Sequence, residues 1–503
     1  MAENEKIDYA KIGLRSGLEI HQQLDSGKLF CHCPGYLRQD KADYEIRRKL
    51  HKIAGETGQV DSAVEHEAKL DKEFLYQGYK DNCCLVELDE CPPYPINEEA
   101  LDEAIKIALL LNCEIYTNTQ IMRKTVIDGS NTSGFQRTFL LGHDGFIETS
   151  FGKVAIDTLA LEEDSARPGV GDEEDEKTRV WKLDRLGIPL VEIMTKPEMN
   201  SPEQIKEAAL KIGEILRACR VKRGIGTIRQ DVNVSIKGHD RVEIKGFQKP
   251  EMMIKTVDLE IKRQEEEIKK GKITGEVRGT LEDGTTKFNR PMPGSARMYP
   301  ETDLPLLKIS RDRLNEIKKN LPKLKREIRD ELKKKGLSDE LINLVLEGNV
   351  DEFEVLSRVY ENYENQDSQT LGFKKTSRDA NLVAKMITLW RNEFATKMKR
   401  KFDEIKSVLN EVVLEKVLEN VKSGAISEGD VKGILWKVVN GEAIEEALIV
   451  EKVDDNALEE AIAGIVKEKP GLRAGAYMGL IIGKLGVSVD KRKAMEILGR
   501  LVK

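Results

Sequence analysis

The sequence predicts an α+β protein, with its strands gathered in a long N-terminal part and its helices behind them. Two observations carry this. Apolar and polar residues alternate with period two in repeated short runs from residue 1 to about 305, and Gly and Pro punctuate those runs. From about 306 the apolar period becomes helical. No repeat interval and no low-complexity linker interrupts the chain, so the division expected is 1–305, 306–401 and 402–503. A chain of 503 residues has room for about three such domains and a sizeable core.

In order along the chain, Gly17-Leu-Glu-Ile-His-Gln-Gln-Leu24 alternates as a strand. A helix is expected from Asn97 to Leu111, then a strand from Lys153 to Leu161 and another ending Val191-Glu192-Ile193. Ser201 has N-cap chemistry and Pro202 suits the first helical position. Ile205, Ala208, Ile212, Ile215 and Leu216 then fall on one face. Asp231–Ile236 and Arg241–Lys245 alternate again. Lys308–Lys335 reads as a charged helical stretch broken near Pro322, and Val383–Lys401 as a basic amphipathic helix. Short helices with Gly or Asp breaks fill 402–503.

Charged residues make up 34% of the chain, aromatics 5% and hydrophobic residues 39%, which is rich in charge yet sufficient for a packed core. A net charge of −7 argues against a protein that coats nucleic acid indiscriminately, but the charge is uneven. Residues 370–401 carry nine Lys/Arg against Asp379 and Glu393, and the last 35 residues carry eight against Asp490 and Glu496. The N-terminus lacks the apolar core of a signal peptide, and the apolar stretch 474–486 contains Lys484 and is too short to span a membrane. A cytoplasmic location is expected, so the seven cysteines read as thiols or metal ligands rather than disulfides.

Strand alternation puts Glu19 and His21 on one face, where a carboxylate beside an imidazole can bind a divalent cation or simply form a polar face. Leu161-Glu-Glu-Asp164 ends a strand with three acids, and Glu192 sits inside an apolar strand. An ionised carboxylate there is costly unless it is paired, metal-bound or on an open sheet face. Asp231, Asn233 and Ser235 share a face behind Arg229, and Glu243 and Lys245 repeat the pattern. Such rows line a cleft, or face water with a plain cross-strand ion pair. Asp128-Gly-Ser-Asn-Thr-Ser-Gly-Phe-Gln-Arg-Thr138 is a Gly/Ser/Thr-rich loop whose amides and hydroxyls suit phosphate or an ordinary turn; it is no Walker A loop. Cys31 and Cys33, with the later Cys83, Cys84 and Cys91, make either a zinc site or buried thiols, and the second group lacks the C-x-x-C spacing. There is no G-x-S-x-G elbow and no evident nucleophilic cysteine, so the chain is not expected to hydrolyse an amide donor itself.

Six segments in this order resemble the GatB/GatE family of tRNA-dependent amidotransferases: Gly17–His21, Leu161–Asp164, Gly187–Ile193, Arg229–Ser235, Glu243–Lys245 and Tyr299–Pro305. Lys124–Arg137 and Cys84–Glu90 are similar to the archaeal E type more than to the bacterial B type. The resemblance implies a cradle-like catalytic domain, a helical domain and a helical tail that grips tRNA. It implies ATP and Mg²⁺ in the cradle, with Glu19, His21, Glu163 and Glu192 as metal ligands and Glu163, Glu192, Asp231 and Lys245 as catalytic residues. Ser130, Ser133, Gln136, Arg229, Asn233, Ser235 and Glu243 are then expected to bind ATP. Zn²⁺ on Cys31, Cys33 and Cys84 is also implied, and Lys397, Lys399, Arg400, Arg473 and Lys484 would meet tRNA. The implied reaction is ATP-dependent amidation of Glu-tRNA(Gln), with ammonia from an asparaginase-like glutaminase of the D type in a heterotetramer. A departure is that only about forty residues separate Phe247 from Pro291, where the archaeal E type carries a synthetase-like insert. A chain of the B type, a non-catalytic tRNA scaffold and a kinase or ligase acting on a small carboxylate are the competing expectations.

Overall fold

The computed structural model describes residues 7–52, 58, 60, 62–169, 177–247, 249–292, 298–362, 377–449, 455–485 and 491–501. These fall into two compact units, Met1–Leu324 and Lys325–Lys503.

The first unit is organised by one eleven-stranded sheet. From one edge its strands run Thr286–Pro291, Glu276–Thr280, Val242–Phe247, Ile228–Ser235, Arg15–Gln23, Pro189–Thr195, Gly152–Glu163, Phe135–Thr149, Met122–Thr125 and Met298–Pro300, with Glu114–Ile115 also on Phe135–Thr149. Neighbours are antiparallel except Val242–Phe247 and Glu276–Thr280, a parallel pair joined by the helix Pro250–Lys269.

One face of this sheet is apolar. Leu18, Ile20, Leu159, Leu161, Val191, Ile193, Val232 and Val234 are buried in a single cluster with residues of three helices. These are Ala100, Leu101 and Ala104 of Glu98–Leu110, Ile205, Ala208 and Ile212 of Pro202–Ala218, and Met253, Val257 and Ile261 of Pro250–Lys269. The cap expected at Ser201 forms, its side chain accepting from the Gln204 amide ahead of Pro202, and the Asn97 side chain caps its own helix by accepting from the Ala100 amide. Because side chains alternate, burying these apolar residues turns Glu19, His21, Glu192 and Asp231 to the other face.

A four-stranded sheet of Tyr44–Arg48, Glu73–Gly78, Thr178–Lys182 and Arg167–Pro168 has its own small core around Phe74, Tyr76, Cys83 and Leu183. The charged helical stretch is interrupted as expected, into Arg311–Lys319 and Lys325–Lys334 around Pro322.

The second unit is helical and has two separate apolar cores. One includes Ile342, Ile387, Leu414 and Leu435; the other includes Leu458, Ile462, Tyr477 and Ile497. The basic helix expected at 383–401 is Ser377–Ala384 and Arg391–Met398 joined by a wide π turn, Lys385–Trp390. Arg391 is not part of an outward basic face. Its side chain is 0% exposed, pairs with Glu352 at 2.6 Å and donates to the carbonyls of Ile387 and Leu409. Removing the carboxylate would leave a buried, unpaired guanidinium. Glu352→Ala is therefore expected to destabilise the second unit by about 3–5 kcal/mol, read as a lowered denaturant midpoint with the first unit's transition unmoved.

Candidate active site on the open face of the sheet

Three central strands bring the charged residues together. His21 lies opposite Glu192 on one side and Arg229 on the other, and Glu19 lies opposite Asp231. The imidazole Nε2 of His21 is 3.5 Å from Glu19, 3.8 Å from Glu162 and 3.8 Å from Glu192. Donor atoms of Glu19, His21 and Asp231 form one compact set, and those of His21, Glu162 and Glu192 a second, so the imidazole is common to both. The Nδ1 of His21 is buried without a hydrogen-bond partner.

Glu163, expected among these ligands, is not brought to them. The strand Gly152–Glu163 continues through both glutamates, so consecutive side chains leave on opposite faces. Glu162 therefore joins His21 and Glu192. Glu163 instead meets the Arg137 guanidinium at 3.3 Å, while Arg137 Nε donates to Glu301 Oε2 at 2.8 Å. The alternation rule applied to the full strand was the available signal for Glu162.

Two lysines hold the acids in place. Lys124 Nζ lies 2.7 Å from Glu162 Oε2 and 3.7 Å from Glu192 Oε2. Nothing in its sequence context marks it beyond membership of a motif. Lys245 Nζ lies 2.7 Å from Asp231 Oδ2 and also pairs with Glu243. A register shift sets up the second arrangement. Gly246, at φ +95°, occupies a bulge in Val242–Phe247 beside Asp231, which swings Lys245 onto that carboxylate.

Burial pushes the Glu19 carboxyl up to about 7, with the His21 charge opposing. Burial likewise raises Glu162, opposed by Lys124 and reinforced by Glu192. The Lys245 ammonium is favoured because Asp231 and Glu243 outweigh its burial. Four carboxylates grouped round one imidazole, whose Nδ1 alone lacks a partner, make a donor set that fits a divalent cation.

The remaining expected contacts divide. Asn233, with its Oδ1 buried and unpartnered, lies between Gly17 and Glu243 on the open face, and Ser235 lies opposite Arg15 further along. Arg229 is engaged by Asp164, its Nη2 donating to Oδ1 at 2.9 Å. Gln23 donates to the other Asp164 oxygen at 2.6 Å. The 128–138 segment is a short loop running into a strand, and its polar side chains bond inward. The Ser130 hydroxyl donates to Asp128 (2.6 Å), Ser133 to the Phe135 carbonyl (2.9 Å) and Gln136 to the Glu163 carbonyl (2.6 Å).

A second donor cluster lies in the same unit. Cys31, Cys33 and Cys84 come together as expected, and Glu87 completes a set of four whose donor atoms lie within 4.8 Å of one another. Cys83 and Cys91 are not in it. Glu87 replaces the missing C-x-x-C cysteine: the turn after Cys84 lets its carboxylate accept from the Cys84 amide at 2.8 Å and from the Cys31 thiol at 3.0 Å. Lys28, 0% exposed, pairs with Glu87 at 2.9 Å and donates to the Leu183 carbonyl. Hydrogen bonds from Cys31 and Cys33 drive the Cys84 thiol down, while Cys33 is lowered by Cys31 but pushed up to about 12 by Cys84 and by burial. Three thiols and a carboxylate within reach of one ion make a four-membered donor set suited to zinc.

In the second unit, Lys397 is exposed, pairs with Glu393 at 2.8 Å and stands over the Trp436 ring. Lys399 ends its helix in the left-handed region, and Lys399, Arg400 and Arg473 are exposed. The Lys484 side chain lies outside the described residues. No described helix is long and apolar enough to cross a membrane.

Residues 14–315 match the family model described as the GatB/GatE catalytic domain. The chain is 35% identical to the E subunit of the Glu-tRNA(Gln) amidotransferase of Methanocaldococcus jannaschii, covering 99% of this chain and 100% of the relative. It is 32% identical to the corresponding protein of Aeropyrum pernix over 99% and 98%, and 37% identical to that of Methanothermobacter thermautotrophicus over 70% and 78%. The M. jannaschii alignment runs to 645 positions against 503 residues here, so a segment of that relative faces no residue of this chain. The chain belongs to the GatB/GatE family of amidotransferase subunits.

Proposed function

We propose that this chain converts Glu-tRNA(Gln) to Gln-tRNA(Gln) in the cytoplasm, using ATP and ammonia. The observation that carries this reading is the His21–Glu162–Glu192 and Glu19–Asp231 grouping on an open sheet face, flanked by Lys124 and Lys245, in a member of an amidotransferase family.

A free γ-carboxylate does not react with ammonia, because its oxygen is too poor a leaving group. An oxygen of the tRNA-borne carboxylate attacks the γ-phosphorus of ATP, giving an acyl phosphate and ADP. Ammonia then attacks the acyl carbon, the C–O bond to phosphate breaks, and the nitrogen loses a proton. The protein's part is positioning and charge neutralisation. Glu19, His21, Glu162 and Glu192 would hold Mg²⁺, which would supply positive charge for phosphate oxygens. Asp231 and Glu243 fix the Lys245 ammonium toward the open face, where it meets the transferring phosphoryl group. Asn233 and Ser235 line the path for the nucleotide, and Arg229 anchors the end of the cleft through Asp164.

Ammonia is mostly protonated at neutral pH, so a partner that releases it beside the acyl phosphate is needed; an asparaginase-like glutaminase in a heterotetramer fits that need. Residues 1–305 then act as the catalytic cradle, 306–401 as a helical domain and 402–503 as the tail that meets tRNA, through cations such as Lys397, Lys399, Arg400, Arg473 and Lys484. Cys31, Cys33, Cys84 and Glu87 would hold Zn²⁺ in a structural role, since the protein supplies four donors.

The deciding experiment incubates the chain with Glu-tRNA(Gln), ATP, Mg²⁺ and ammonium and identifies the amino acid on the tRNA by mass spectrometry. Gln-tRNA(Gln) is expected. Glu162→Gln and Glu192→Gln are each expected to cut its rate by about 10²-fold or more, on the order of what one preorganised charge contributes. Glutamate unchanged on the tRNA even with the glutaminase partner present would leave a non-catalytic scaffold as the better account. The metal assignment is checked by elemental mass spectrometry. About one zinc per chain is expected, falling to a trace in Cys31→Ser, with affinity reduced about 10–100-fold in Lys28→Met through the loss of a partner that orients Glu87.

A further inference from the structure

The segment 217–229 stands apart from the charge balance of the rest of the first unit. It carries Arg217, Arg220, Lys222, Arg223 and Arg229 and no acid. At its tip Ile225 is 99% exposed, the most exposed of the large hydrophobic residues described. The loop is nonetheless firmly based. The Lys222 amide donates to the Gln23 carbonyl, and the Gln23 amide donates to the Thr227 carbonyl, each at 3.0 Å. The Gln22 side chain donates to the carbonyls of both Lys222 and Thr227. Both legs are thereby tied to the end of Arg15–Gln23, the strand that carries Glu19 and His21. Above them Gly224 and Gly226, at φ +116° and +84°, make the turn, and the Thr227 hydroxyl closes it on the Gly224 carbonyl at 2.8 Å. Nothing lies within 4 Å of where a side chain at either glycine would begin.

An isoleucine held clear of the protein on a rigid stem has no role in the core. Its neighbours define what it can meet. Arg220 pairs with Glu99 and Arg229 with Asp164, whereas Arg223 donates to the Arg217 carbonyl. That contact brings Arg223 no opposite charge among the described residues. Lys222 is half-buried, its Nζ turned toward Gly35, so Arg223 is the cation exposed beside the tip. An apolar tip beside an exposed guanidinium matches a strand of uncovered base faces joined by phosphates, and it does not match an apolar protein surface, which would leave the cation unpaired.

We propose that the loop 222–227 receives the single-stranded 3′ end of the aminoacylated tRNA, with Ile225 packed on an unstacked base and Arg223 on its phosphates. This rests on the tRNA reading above and adds the element that delivers the esterified glutamate to the carboxylate cluster. Ile225 is a positioning residue: it touches the carrier rather than the reacting atoms.

The test compares the full chain with Ile225→Ser and with Arg223→Ser in ammonium-supported amidation. Substrates are intact Glu-tRNA(Gln) and, for binding alone, uncharged tRNA either intact or trimmed of its last four nucleotides. Ile225→Ser is expected to raise KM for Glu-tRNA about 5–20-fold, the range of one lost base contact, with kcat within about twofold. Arg223→Ser is expected to flatten the dependence of log Kd on log salt by about one. On trimmed tRNA, Ile225→Ser and the parent chain are expected to bind equally. An unchanged KM, or an equal penalty on intact and trimmed tRNA, would overturn the proposal. So would loss of glutamine-supported activity alone, which would make the loop a partner contact. Because the parent chain is assayed beside each variant, failure of the parent counts against the tRNA reading itself. An unshifted melting temperature is expected, since the Ile225 side chain touches no core.

Discussion

The candidate site exists because a pleated strand must send successive side chains to opposite faces. Leu18 and Ile20, Val191 and Ile193, and Val232 and Val234 are drawn under three helices, and that burial fixes the register of the three central strands. The same register puts Glu19, His21, Glu192 and Asp231 side by side on the uncovered face. Slipping any one strand by a residue would bury its acids and expose its core. The hydrophobic effect on one face thus supports an electrostatic arrangement on the other that would be unfavourable if assembled by itself.

That arrangement remains close to tolerable because cations are built in at its borders. Lys124 stands between Glu162 and Glu192, Lys245 between Asp231 and Glu243, and Arg229 on Asp164. Glu19, in the middle, is raised first by its burial, against the opposing charge of His21, with Glu192 adding to the rise. A cation held there would favour the ionised carboxylate that burial disfavours.

Much of this was legible in the sequence because it follows from period and spacing. The strands around His21 and Asp231, the capped helix after Ser201 and the break at Pro322 all depend on local rules. What escaped required either counting along a whole strand or knowing a neighbour. Glu162 and Glu163 are distinguished only by the strand's running through both, which sends them to opposite faces. Glu87 could not be found from cysteine spacing, because it is a carboxylate in a cysteine's place. Three strands separate that of Lys124 from that of His21 in the sheet, and Arg391 turns inward for a carboxylate 39 residues earlier. Ser130, Ser133 and Gln136 have the composition of a phosphate loop, yet each is taken up by a nearby backbone or side-chain partner.

The three-cysteine, one-glutamate cluster has a consequence for the unfolded chain. Cys31 and Cys33 are separated from Cys84 and Glu87 by roughly fifty residues, and that interval contains the strands Tyr44–Arg48 and Glu73–Gly78 of the small sheet. An ion shared by the four would close this interval into a ring, removing conformations from the denatured ensemble much as a covalent crosslink does. The small sheet, with only a minor core of its own around Phe74 and Tyr76, is the part of the first unit that such a tether would hold most.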